Sequence, residues 1–94
     1  MRIVERNYHT RYGEVDLVVQ DQDTLVFVEV KARRTASFGT PEESVTERKR
    51  ERLARTAETY LQAHGLDQSN WRIDVVAITL QRDGPAHINH VQAV

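Results

Sequence analysis

Apolar residues along this chain fall into short clusters, spaced first at a period of two, then near 3.6, then at two again. Leu25-Val26-Phe27-Val28 run together and Val30 follows past Glu29. That is the pattern of a strand covered on both faces, since a solvated face would alternate with polar residues. Residues 2–8 and 14–20 (EVDLVVQ) read as strands before it. Asp21-Gln22-Asp23 has turn composition and joins the second and third strands, the latter read as 24–31, into a hairpin. Residues 32–40, polar and containing Gly39, read as a loop. Val45, Leu53, Ala57, Tyr60 and Leu61 then recur at helical spacing until Gly65 supplies a stop. Thr40-Pro41-Glu42-Glu43 spells a capping box for that helix, and Thr46 offers a later start. Residues 71–80 and 86–91 return to strand composition around the turn Arg82-Asp83-Gly84-Pro85. The order βββαββ predicts an α/β fold, a mixed β-sheet with one long helix packed on it. Without repeat, low-complexity tract or linker, residues 1–94 read as a single domain.

Two positions break the apolar pattern. Asp16 interrupts the second strand and Glu29 the third, with Lys31 two residues beyond Glu29 and so on the same face. A buried carboxylate is costly unless something compensates its lost hydration. If Asp21 pairs with Thr24 across a two-residue turn, Asp16 and Glu29 stand opposite each other, because opposed positions in an antiparallel pair have a constant sum. Two close carboxylates repel, and a hard divalent cation with oxygen ligands offsets the repulsion. Magnesium, or manganese in its place, suits an open site of one or two carboxylates completed by water and phosphate. Lys31 is then placed to orient or deprotonate an attacking water and to stabilise charge on a phosphate. Asp16, Glu29 and Lys31 together spell metal-assisted phosphodiester hydrolysis. The structural alternative is a Glu29–Lys31 ion pair at the sheet end, with Asp16 in a hairpin network.

Charge and composition narrow the classes. With 94 residues and a formal net charge of -1, the chain lacks the global basicity of a protein that coats nucleic acid by charge alone. Its basic residues are concentrated locally: Lys31, Arg33, Arg34 and then Arg48, Lys49, Arg50, Arg52 and Arg55. Arg33 and Arg34 directly follow the third strand and suit backbone phosphate contacts, as does Lys49 if the helix turns it toward that strand; a lysine snorkelling from the core edge is the plainer role. The absence of cysteine removes disulfides, thiolate nucleophiles and Cys-type zinc sites. No apolar stretch nears the roughly 20 residues that cross a bilayer, so the expectation is a cytoplasmic protein with no membrane partner.

The blocks GEVDLVVQDQDTLVFVEVKARR, FGTPEESVTERKRERL and RIDVVAI resemble the YraN-like family of small bacterial proteins, within the PD-(D/E)XK superfamily that includes restriction endonucleases and archaeal Holliday-junction resolvases. The likeness runs over nearly the whole chain; the D...ExK core is short, and its flanking blocks make it specific. The resemblance implies a restriction-endonuclease-like fold, metal binding by Asp16 and Glu29 with the Val30 carbonyl as a further ligand, and Lys31 serving the nucleophilic water. Members usually carry a helix before the first strand, with a Glu that completes the site. This sequence starts at what reads as that strand, so a domain lacking the helix is expected, with an apolar sheet face that a homodimer would hide. The superfamily's Pro before the first Asp is replaced by Val15.

The expected function is a metal-dependent nuclease acting on DNA or RNA, with branched or distorted DNA as a candidate substrate. The alternative is a non-catalytic nucleic-acid-binding module of the same fold. The remaining signals read as structural. His87 and His90 lie on opposite faces of a strand, Phe38 and Trp71 read as packing residues, Tyr8 and Phe38 are too few for a base-stacking platform, and Asp74 either borders the site or pairs with an arginine.

Overall fold

The computed structural model describes residues 1–34 and 46–94. Its elements are β1 (Arg2–Thr10), β2 (Gly13–Asp21), β3 (Thr24–Arg33), α1 (Glu47–Ala63), β4 (Asn70–Thr79) and β5 (His87–Val91). They form one five-stranded sheet in the order β1-β2-β3-β4-β5, with β3 and β4 parallel and every other neighbouring pair antiparallel. This is the mixed sheet with one helix that the apolar periodicity predicts. A parallel pair requires a crossover, and α1 lies on it.

The two faces of the sheet are covered differently. Val15, Val18, Leu25, Phe27 and Ile73 pack under Leu53, Ala57, Tyr60 and Leu61 of α1. Phe27 is fully buried and meets Tyr60 and Trp71 edge-on, with ring centroids 5.7 and 5.9 Å away. Burying such a ring contributes about 3 kcal/mol. Tyr8 joins this core against Tyr60 at 5.1 Å. On the opposite face Val19, Val26 and Val28 form a second cluster with Leu17, Val30 and Val76. Beside it runs a groove of about 260 Å³ that reaches Met1 and Ile3, both exposed. Val19, Val26 and Val28 are themselves buried, so the exposed apolar surface expected on this face is found only at the groove's rim, at Met1 and Ile3.

The helix starts at the later of its two spellings. Thr46 is the N-cap, its hydroxyl accepting the Lys49 N–H at 3.2 Å. The capping box at 40–43 and Phe38 lie outside the described residues. Gly65 follows the C-cap residue His64 with φ of 66°, the left-handed conformation glycine adopts without strain.

Candidate active site

The hairpin turn has the register that the constant-sum rule requires: Asp21 pairs with Thr24, and the ladder runs through Leu17 opposite Val28. Past that pair the strands cease to follow a simple pleat. Val15 packs on the helix side and Leu17 on the other, although residues two apart on a strand share a face. The pleat thus changes phase at Asp16. On β1 the matching irregularity is Asn7, held at φ of 52° between Arg6, which pairs with Leu17, and Tyr8, which pairs with Val15. Asparagine tolerates that left-handed conformation better than most residues.

This break turns the Asp16 carboxylate toward β3, where its Oδ2 accepts the Val30 N–H at 2.7 Å. Asp16 therefore touches the peptide that joins Glu29 to Val30. In a strand the N–H and C=O of one residue point to the same edge, so the Val30 carbonyl also faces the β2 side. Glu29 and Lys31 continue the helix-side alternation of Leu25 and Phe27. Glu29 Oε1 lies 3.3 Å from Lys49 Nζ, and Oε2 is buried with no hydrogen-bond partner among the described residues. The ion-pair partner of Glu29 is thus Lys49 from α1 rather than Lys31 from its own strand. The Lys31 ammonium is held below its usual pKa, chiefly by the nearness of the Lys49 amine, then by partial burial; the charge of Glu29 opposes these effects.

Glu29 and Lys49 line a cavity of about 120 Å³ together with Gly13, Glu14, Arg52, Leu53 and Thr56. Glu14, Arg52 and Thr56 are lining residues that a reading centred on D...ExK misses. For Arg52 and Thr56 the signal is helical spacing, since Lys49, Arg52 and Thr56 stand three and four residues apart and so share one face of α1. Arg33 ends β3 on the same side as Lys31, and its carbonyl accepts the Leu80 N–H at 2.7 Å. Arg34 borders a separate cleft of about 550 Å³ with Leu80, Gln81 and Arg82.

Among the described residues no three His, Cys, Asp or Glu side chains cluster as a metal cage. The protein can instead offer two carboxylates on neighbouring strands, one with a buried unpartnered oxygen, and the Val30 carbonyl. That sparse oxygen set fits magnesium, which keeps several waters and takes phosphate oxygens, better than it fits a closed structural ion.

Asp74 belongs elsewhere. It sits on the open face, fully buried, and takes hydrogen bonds from Arg72 Nε at 3.0 Å, His90 Nε2 at 2.8 Å and the Ala93 N–H at 3.0 Å. Arg72 also reaches Asp21 Oδ2 at 3.2 Å. Burial pushes the Asp74 carboxyl up, but hydrogen bonds from Arg72, Ala93 and His90, with the charge of Arg72, outweigh it and hold the group below the usual carboxylate range. Of the two roles read for Asp74, the arginine pair is the one it fills, and His90 serves that structural network.

A five-stranded mixed sheet bearing one helix is an α/β architecture consistent with a nuclease-like fold. The comparisons name the family. Residues 1–78 match the model described as "Uncharacterised protein family UPF0102", and the chain belongs to that family. A UPF0102 protein of Syntrophomonas wolfei is 49% identical over 90 residues, covering 96% of this chain and 77% of the relative. One from Herpetosiphon aurantiacus is 44% identical over 97 residues, covering 99% and 77%, and one from Moorella thermoacetica is 49% identical over 81 residues, covering 86% and 68%. UPF0102 is the family that the YraN-like resemblance pointed to.

Proposed function

We propose that the protein is a metal-dependent nuclease that hydrolyses nucleic-acid phosphodiester bonds, with Asp16, Glu29 and the Val30 carbonyl holding magnesium or manganese. The observation that carries this reading is the contact of Asp16 Oδ2 with the Val30 N–H at 2.7 Å, beside a Glu29 whose Oε2 is buried and unpartnered among the described residues. When bound, the cation would neutralise the two acids and polarise a phosphoryl oxygen. Lys31 orients the attacking water and, with its pKa lowered, is more often in the neutral form that can take a proton than an ordinary lysine. Arg33, Arg34 and Lys49 supply cations for phosphates flanking the scissile bond, contacts that position a strand without reading its bases. DNA or RNA is the substrate class, with branched or distorted DNA the first to try. The cytoplasm is the proposed compartment; no helix among the described residues is long and apolar enough to cross a membrane. Pairing of two copies through the groove at Met1 and Ile3 is part of the same reading, and sedimentation as a monomer at high concentration would remove it.

One observation favours the alternative, a binding module of the same fold without catalysis: Lys49 already supplies Glu29 with a counter-charge. Incubation with branched and single-stranded DNA and with RNA, in magnesium or manganese, separates the two. The nuclease reading expects cleavage that falls by about 10²-fold or more in Asp16→Asn and Lys31→Met. Cleavage indifferent to both substitutions removes the assignment. Salt-sensitive binding without cleavage favours the module.

A further inference from the structure

Lys49 occupies a position in α1 that ordinarily suits the opposite charge. Counting from the N-cap Thr46, it is the third helical residue, where a glutamate closes a capping box and where the helix dipole disfavours a cation. It is held there by Glu29, 3.3 Å from its ammonium. The surroundings are already rich in positive charge: Lys31 stands near enough to Lys49 for the two like charges to oppose each other, and Arg52 lines the same cavity. A divalent cation arriving at Glu29 would meet this field at short range, where charges interact strongly. The Lys49 side chain keeps 29% of its surface exposed, and its four-carbon stem gives the ammonium a route to water that the buried part of Glu29 lacks.

We propose that Lys49 is a resident counter-ion that guards Glu29 and must be displaced before a divalent cation binds, so that cation affinity is set by a residue that is not itself a ligand. Glu29 is thereby kept from standing as an unpaired buried carboxylate when no cation is present. The displaced ammonium is then free to meet a phosphate. The nucleic-acid substrate and the metal thus favour the same state, with Lys49 away from Glu29, and each strengthens binding of the other. The inference rests on the reading of Glu29 as a cation ligand.

The test is the dissociation constant of Mn²⁺, followed by the loss of the free-ion electron paramagnetic resonance signal, for the full chain and for Lys49→Met, Lys49→Gln, Lys49→Arg and Glu29→Gln. Circular dichroism establishes that each variant is folded, and either neutral variant suffices. A neutral residue at position 49 is expected to tighten Mn²⁺ binding by at least about tenfold, a change of about 1.4 kcal/mol. Lys49→Arg is expected to bind like the unaltered protein, and Glu29→Gln to lose the site. Unchanged or weaker binding in both neutral variants, with Glu29→Gln still deficient, overturns the guard role and leaves the metal site standing. Equal tightening by Lys49→Arg also overturns it, because the effect would then not arise from charge. Binding indifferent to Glu29→Gln, or no binding at millimolar Mn²⁺ by any variant, overturns both the guard role and the metal site.

Discussion

Glu29 in β3 and Asp74 in β4 are both carboxylates set into apolar strands, yet the two faces of the sheet treat them differently. Asp74, on the open face, is met by a guanidinium, an imidazole and a backbone amide, so that both its oxygens are satisfied. Glu29, on the helix side, has one oxygen paired to Lys49 and the other buried with no partner among the described residues. A saturated buried charge fixes the strands around it. One with an unmet oxygen keeps part of its binding capacity for something else. The difference teaches that position in an apolar strand does not by itself mark a functional acid; what marks it is the state of its hydrogen bonds.

Substitutions can break that comparison. The largest expected effect on folding belongs to Asp74→Ala, which leaves Arg72 and His90 without their shared acceptor and should cost about 3 kcal/mol in denaturant unfolding. Glu29→Gln should cost under about 1 kcal/mol in the same measurement, since the Lys49 pair is partly solvated. Equal losses at the two positions would erase the contrast. Smaller in size is the effect of acid. Because the folded pKa of Asp74 lies below its unfolded value, its stabilisation is complete above the ordinary aspartate range, about pH 4, and fades as pH falls through the folded value. The stability gap between the unaltered protein and Asp74→Asn should therefore narrow on acidification below about pH 4; a constant gap would show that the carboxyl is not depressed. Thr46→Ala is expected to cost about 1 kcal/mol by removing the acceptor for the Lys49 N–H, and so to loosen the turn that presents Lys49 to Glu29.

Much of this arrangement is legible in the sequence because it depends on rules of short range. The apolar run from Leu25 to Val30 marks β3 as a central strand, and the two-residue turn fixes the Asp21–Thr24 pair. The constant-sum rule sets Asp16 opposite Glu29, but it assumes an unbroken pleat, and the observed ladder ends one pair earlier, at Leu17 and Val28. The change of phase at Asp16 and the left-handed Asn7 are cooperative between two strands, and neither residue announces it alone. The helix start is legible only as two alternatives, since Thr40 and Thr46 both spell caps. That Lys49 can turn toward β3 follows from its helical spacing. That it, rather than Lys31, pairs with Glu29 does not, because the approach of α1 to the sheet is set by the whole helix-side core. The side of the sheet on which Asp74 sits likewise depends on the register of the parallel β3–β4 pair, in which Val28 stands beside Asp74 and Glu29 beside Val75.

The central claim is that Asp16 and Glu29 form one cation site, and anomalous diffraction from a crystal soaked in Mn²⁺ tests it most directly. A peak at coordination distance, about 2.1 Å as for magnesium, from a carboxylate oxygen of each acid is the predicted result. Saturating Mn²⁺ that leaves no peak between them, or a peak that contacts Asp74 instead, would contradict it.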